Sequence, residues 1–236
     1  DKQREIVYST NDGKLHRLDV SSFGTSVNHD TLFTLVSRTD PDIGLQYKGN
    51  IRNTAIADLD HDGNKEIIFA DFLDYLNEDW PAKVYVLNRN GNLLTSKTIG
   101  NGGANGAVAI ANVDSDPNLE IFVPTTYGMK VYDYTTSLSL SQKWTSTDGA
   151  ITGSPVIADA DSDGYLEVII VTTDASGICD PTKSCSNDIT IRNAETGALQ
   201  NGISLSQLDS RITPAVANID SDDHLEAVIA AANDDT

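Results

Sequence analysis

Apolar residues in this chain come in short runs separated by turn-forming residues, and the arrangement recurs. Thr54–Ala57 is followed by an acidic turn and then by Glu66–Ala70, a run rich in β-branched residues. The alternating run Lys83–Leu87 comes next and ends in the turn Asn88–Gly91, after which a weaker run, Leu93–Lys97, completes the unit. Short β-branched or alternating runs bounded by Gly, Asn and Asp read as strands, and no stretch carries the 3.6-residue period of an amphipathic helix. The same order returns at Ala107–Ala111 and Met129–Asp133. It returns again at Pro155–Ala158, Glu167–Val171 and Asp188–Arg192 with the turn Asn193–Gly197, and once more at Pro214–Ala217. Four short antiparallel strands per unit predict an all-β protein, a β-propeller built from four-stranded blades.

The acidic turns set the period. Four segments align without gaps: Ala57–Phe69, Ala111–Val123, Ala158–Ile170 and Ala217–Ile229. Their first acidic or amide positions fall at 58, 112, 159 and 218, spacings of 54, 47 and 59 residues. Roughly 40 to 50 residues plus loop insertions is the size of a propeller blade. The expected units are 1–50 (partial), 51–103, 104–150, 151–210 and 211–236 (partial), forming one repeat region over 1–236. Asp1–Val7 aligns with Asp62–Ile68, so the sequence starts inside a repeat, and it stops just after the second strand of another. The expectation is about four blades' worth of a longer polypeptide. The alternative is a short propeller completed by strand exchange, since an open blade edge invites pairing.

Each turn has the pattern Asp/Asn-x-Asp-x-Asp-x-x-x-Glu. Alternate carboxylates on a tight turn converge on one centre, and calcium takes six to eight oxygen ligands of mixed type. In the first turn the candidate ligands are Asp58, Asp60, Asp62, Asn64 through its carbonyl, and Glu66; in the second, Asn112, Asp114, Asp116, Asn118 and Glu120. The third offers Asp159, Asp161, Asp163, Tyr165 and Glu167, and the fourth Asn218, Asp220, Asp222, His224 and Glu226. Asn retains an amide oxygen as a ligand but brings one charge less. Position six is Gly63 and Gly164 in the first and third turns, but Pro117 and Asp223 in the others. Gly eases a sharp turn and Pro fixes φ. Calcium is therefore expected at up to four sites, held best at 58–66 and 159–167. A plain acidic turn is the alternative, and magnesium, which resists an all-protein cage, is the poorer fit.

With these residues quoted, the chain resembles the FG-GAP/VCBS repeats of the integrin alpha-subunit propeller and of many secreted bacterial, archaeal and fungal proteins. The similarity covers nearly the whole chain. It implies that each acidic loop lies between the first two strands of a blade and binds calcium through positions one, three, five, seven and nine.

Charge fits that picture. Sixteen basic residues stand against 35 acidic ones, a formal net of −19. Fourteen of the acids lie at the turn positions, so four calcium ions would bring the formal charge to −11. Such a surface repels phosphate backbones and anionic membranes, which argues against nucleic acid as a partner. No apolar run approaches the roughly 18 residues of a membrane span, and Asp1–Glu5 is not a signal peptide.

Cys179 and Cys185 share a loop rich in Pro, Asp and Ser and read as a small disulfide, with two free thiols as the alternative. A disulfide argues for an oxidising compartment, so the protein is expected to be extracellular, secreted or at a cell surface. Asp71–Trp80 is a second insertion, rich in aromatics and acids, that reads as a surface loop with a local apolar patch, with part of a sugar- or protein-binding edge on the propeller rim as the alternative.

His16, His29, His61 and His224 accompany no nucleophile motif, and Gly100–Gly106 lacks the Lys-Ser/Thr end of a phosphate loop. No catalytic residue is assigned. The expected function is a binding or adhesion module for a protein or glycan. A structural subunit of a self-assembling filament or surface layer is the alternative, and a calcium-dependent polysaccharide lyase, which needs a base beside the metal, the third reading.

Overall fold

A computed structural model describes residues 5–19, 29–39, 46–47, 49–72, 81–100, 103–104, 106–135, 137–151, 153–172, 186–206 and 212–229. Cys179, Cys185 and most of the 71–80 insertion lie outside them. The described residues contain strands and turns and no helix. Contacts divide the chain into two units, Asp1–Gly103 and Ala104–Thr236.

In the first unit, β1 (Glu5–Thr10), β2 (Lys14–Asp19) and β3 (His29–Thr34) form a three-stranded antiparallel sheet. The short β4 (Arg38–Thr39) and β5 (Gln46–Tyr47) pair with each other. Then β6 (Asn50–Ala57), β7 (Glu66–Phe72), β8 (Ala82–Leu87) and β9 (Leu93–Gly100) make a four-stranded meander. β7 is buried along nearly its whole length. Ile67 and Phe69 pack with Leu15, Leu35 and Ile51 in one core, and the Phe69 ring stacks on that of Tyr85 at 5.0 Å.

The second unit repeats the meander. β10 (Ala109–Ala111), β11 (Glu120–Thr125), β12 (Gly128–Thr135) and β13 (Ser139–Thr145) form one sheet. β14 (Val156–Ala158), β15 (Glu167–Thr172), β16 (Ser186–Asn193) and β17 (Leu199–Ser206) form the next, and β18 (Ala215–Ala217) pairs with β19 (Glu226–Val228). The sheets stack in chain order. On β15, Val168 and Ile170 face the preceding sheet in a core with Phe122, Val131 and Trp144, while Ile169 and Val171 turn toward the last pair and contact Val216 and Ile229. This two-sided burial explains why these strands read as continuous β-branched runs.

The sheets also meet backbone to backbone at a position that keeps the turn period. A Cβ on Gly106 would lie 2.0 Å from the Gly153 carbonyl oxygen, and one on Gly153 would lie 2.1 Å from that of Ile212. Beside them the Ala107 N–H donates to Ser154 Oγ at 3.0 Å, and the Ser154 N–H to Thr213 Oγ1 at 3.0 Å. The expectation of four-stranded antiparallel sheets in repeated order is met in the meanders β6–β9, β10–β13 and β14–β17.

A bulge recurs in the fourth strand. Leu94, Lys143 and Gln200 are each the extra residue where β9, β13 and β17 shift register against their partners, and Leu32 does the same in β3. A bulge re-aims one side chain, and it brings Lys143 and Gln200 to the acidic turns of their sheets.

Candidate metal centre

All four acidic turns lie between the first and second strands of their sheets: after β6, β10, β14 and β18. Four carboxylate groupings result, Asp58–Asp60–Asp62, Asp114–Asp116–Glu120, Asp159–Asp161–Glu167 and Asp220–Asp222–Glu226, each with one oxygen per residue within 4.8 Å of the others. These groupings could hold a cation.

The turns share a scaffold. In each, one oxygen of the closing glutamate accepts the backbone N–H of position two: Leu59 to Glu66, Val113 to Glu120, Ala160 to Glu167 and Ile219 to Glu226, all at 2.8 Å. The position-seven residues Asn64, Asn118, Tyr165 and His224 donate their N–H groups to the position-five aspartates Asp62, Asp116, Asp163 and Asp222 at 2.6–2.8 Å. The closing glutamate thus fixes position two, while the far side of the turn is locked by its own aspartates.

Two backbone classes appear, and they follow the residues at positions one and six. In the first and third turns Gly63 and Gly164 have φ of 87° and 90°, and the position-four residues His61 and Ser162 have φ of 58° and 61°. The N–H groups of Gly63 and Gly164 donate to Asp58 Oδ2 at 3.2 Å and Asp159 Oδ2 at 3.1 Å. That leaves Asp58 Oδ1 and Asp159 Oδ1 buried without a hydrogen-bond partner. In the second and fourth turns, Ser115, Pro117, Ser221 and Asp223 have no positive φ. There the asparagine turns its amide onto the backbone: Asn112 Nδ2 donates to the Asp116 carbonyl at 2.8 Å, and Asn218 Nδ2 to the Asp222 carbonyl at 2.5 Å. Pro117 has no N–H to offer a carboxylate at 112, so asparagine closes that turn instead.

The third and fourth turns touch. Ser162 Oγ donates to the Asp223 carbonyl, the His224 ring Nδ1 lies 3.1 Å from the Asp161 carbonyl oxygen, and the Leu225 N–H donates to the Ala160 carbonyl at 2.9 Å. His224 therefore has a ring contact in addition to its place in the ligand pattern.

Two residues outside the turn pattern, Lys143 and Asp133, join the second turn. From the bulge on β13, the Lys143 ammonium contacts Asp114 Oδ2, Asp133 Oδ1 at 3.4 Å and Glu120 Oε1 at 3.7 Å. Burial depresses the ammonium, but the Asp114 bond and the charges of Asp133 and Glu120 outweigh it and raise its pKa. Asp114 is held below the usual carboxylate range by the same bond. The sequence signal was weak, because a lysine beside Trp144 in an alternating strand reads as an outward-facing residue.

Glu66, Glu120 and Glu167 are almost fully buried, and burial raises all three, Glu120 to about 7 against the opposing pull of the Val113 N–H and Lys143. Desolvation wins because Lys143 makes its closest contact to Asp114. A carboxyl raised in the fold favours the protonated state there, so its stabilisation is complete below the unfolded value of 4.5 and is lost as pH rises toward 7. Metal-free protein is therefore expected to lose stability between pH 5 and pH 7, read as a lower urea midpoint. Cation binding at the first and third turns should reduce the part of this trend that comes from Glu66 and Glu167, because it favours their ionised forms.

No protein-family model and no curated protein matches the sequence. Among solved structures the chain is similar to the Dos1 propeller, with a TM-score of 0.53 at 9% identity over 88% of this chain and 48% of that one. It is also similar to rhamnogalacturonan lyase YesW, with a TM-score of 0.41 at 18% identity over 96% of this chain and 54% of that one. The Bacillus licheniformis rhamnogalacturonan lyase PL11 gives a TM-score of 0.41 at 16% identity, with the same coverage of 96% and 54%. The chain spans about half the length of these structures. The likeness to the Dos1 propeller is one of fold, and it accords with the stacked antiparallel sheets described above.

Proposed function

We propose that this chain is part of an extracellular calcium-binding β-propeller of the FG-GAP/VCBS type, acting as a binding or adhesion module for a protein or glycan and not as an enzyme. The observation that carries the calcium reading is the pair of buried, unpartnered oxygens, Asp58 Oδ1 and Asp159 Oδ1, each in an acidic turn opened by glycine. A buried carboxylate oxygen without a donor is costly. A cation among several such oxygens removes the cost, and hard oxygen donors in this number suit calcium. Ions at these turns would fasten the first strand of a sheet to the second. That would leave the insertions at 71–80 and 173–185 free to vary as contact loops.

The test is calcium uptake by the full 236-residue chain, measured by titration calorimetry and by native mass spectrometry. Asp60→Asn removes one carboxylate from the first grouping and is expected to weaken one site roughly tenfold or more, a change of about 1.4 kcal/mol per decade. An Asp60→Asn protein that takes up calcium as the parent does would overturn the reading. The adhesion role is tested separately on a glycan array and by size-exclusion chromatography with and without calcium. Retention of a glycan class is the expected outcome, and a calcium-dependent shift to large assemblies would favour the structural-subunit reading instead.

A further inference from the structure

We infer that Lys143 supplies the cation of the 112–120 turn, so that this turn is closed by the chain's own ammonium where its neighbours are built for a metal ion. The inference rests on the calcium reading of the 58–66 and 159–167 turns and adds to it a division of labour among the sites.

The comparison of equivalent positions carries it. Residues 94, 143 and 200 are the same bulge residue in three successive sheets. In the first of these sheets it is Leu94, which is neutral. In the third it is Gln200, whose Nε2 donates to Glu167 Oε1 at 3.4 Å, so this bulge position reaches the closing glutamate of the turn. In the middle sheet the same position holds Lys143, with its side chain 17% exposed, and its ammonium meets two of the three clustered carboxylates, Asp114 and Glu120. The residue paired with the closing glutamate changes in step: Glu167 lies opposite Asn193, while Glu120 lies opposite Asp133, which adds a carboxylate on the ammonium's other side.

The turn itself is altered to match. The first and third turns present an aspartate at position one with a buried oxygen left unpartnered. In the second, Asn112 commits its amide to the Asp116 carbonyl, and Pro117 removes the position-six donor. The inward oxygens that lack hydrogen bonds here, Glu120 Oε1 and Asp133 Oδ1, both face Lys143. A divalent ion on Asp114 and Glu120 would sit against the ammonium, and like charges at that separation in a half-buried site repel strongly. The lysine and the ion therefore exclude each other.

Lys143→Gln places in this sheet the residue found at the equivalent bulge of the next. By native mass spectrometry of the full chain in calcium, the variant is expected to hold one ion more than the parent. In chelator it should melt below the parent, and millimolar calcium should restore it, a rescue that a purely structural lysine would not give. Lys143→Gln combined with Asp133→Asn recreates the neutral pair of Gln200 and Asn193 and guards against misfolding from an uncompensated buried carboxylate; it too should gain one ion. An unchanged ion count in both variants overturns the assignment. The Asp60→Asn control separates the two claims: if it lowers the parent's count while neither Lys143 variant gains an ion, only the role of Lys143 fails. If the parent binds no calcium and the Lys143 variants gain none, both claims fail.

Discussion

Chelation of calcium is expected to lower the melting temperature of this protein by roughly 5 to 10 °C for each turn that had been occupied. The size follows from mass action. An ion present at a hundred times its dissociation constant stabilises the folded state by about 2.7 kcal/mol, and for a chain of this length about 1 kcal/mol moves the midpoint by roughly 2 to 4 °C. The structural reason is local crowding of like charge. In the first turn Asp58, Asp60 and Asp62 each place an oxygen within 4.8 Å of the others, and buried Glu66 closes the turn behind them. Without a cation this repulsion acts directly on the junction of β6 with β7. Sodium chloride should recover part of the loss by screening the exposed aspartates but not the buried glutamates. Magnesium should recover less than calcium, because it keeps its water and demands a tighter octahedron. Differential scanning calorimetry in chelator, calcium and magnesium checks this, and a melting temperature that ignores all three conditions would remove the case for metal at these turns.

Much of this arrangement was legible in the sequence because it depends on local rules. Gly63 and Gly164 at position six do adopt positive φ, and the turns that carry Pro117 and Asp223 take a different backbone, as the departures from the pattern suggested. The gapless alignment of the four turns placed each between the first two strands of its sheet. What the sequence concealed depends on register. A bulge moves a side chain from one face to the other, and nothing in the run Ser141–Thr145 marks Lys143 as the extra residue. Its partners Asp114, Glu120 and Asp133 come from three different segments. The contact of the third turn with the fourth, through Ser162 and His224, was hidden for the same reason, since it joins residues about sixty positions apart. His29 opens β3, and its ring lies 5.9 Å from that of His16, a contact between strands that their sequence separation did not mark.

Trp144→Ala is the single substitution expected to cost most in the second unit, at about 3 to 5 kcal/mol, which lowers the melting temperature by roughly 6 to 20 °C. Trp144 follows the bulge residue Lys143 on β13, pairs with Val131 of β12 and joins its sheet to the next. Its ring meets Phe122 edge-on at 6.1 Å, and its indole N–H donates to the Ala194 carbonyl at 2.9 Å. The neighbouring sheet is shaped to receive it. Gly197, at φ 74°, has no Cβ, and one placed there would lie 2.6 to 2.9 Å from the indole. Truncation would leave a cavity in the core lined by Val131, Ile151 and Val168 and strip the Ala194 carbonyl of its donor. The bidentate bond from Arg192 to Asp148, which crosses the same pair of sheets, cannot substitute because it lies outside that apolar core. Urea denaturation measures the loss, with Leu138→Ala, at a residue 41% exposed, as a near-neutral control. The same loss in calcium and in chelator would place the inter-sheet packing and the acidic turns in separate contributions to stability. A loss below about 1 kcal/mol would mean that the stacked sheets are not held together through this indole.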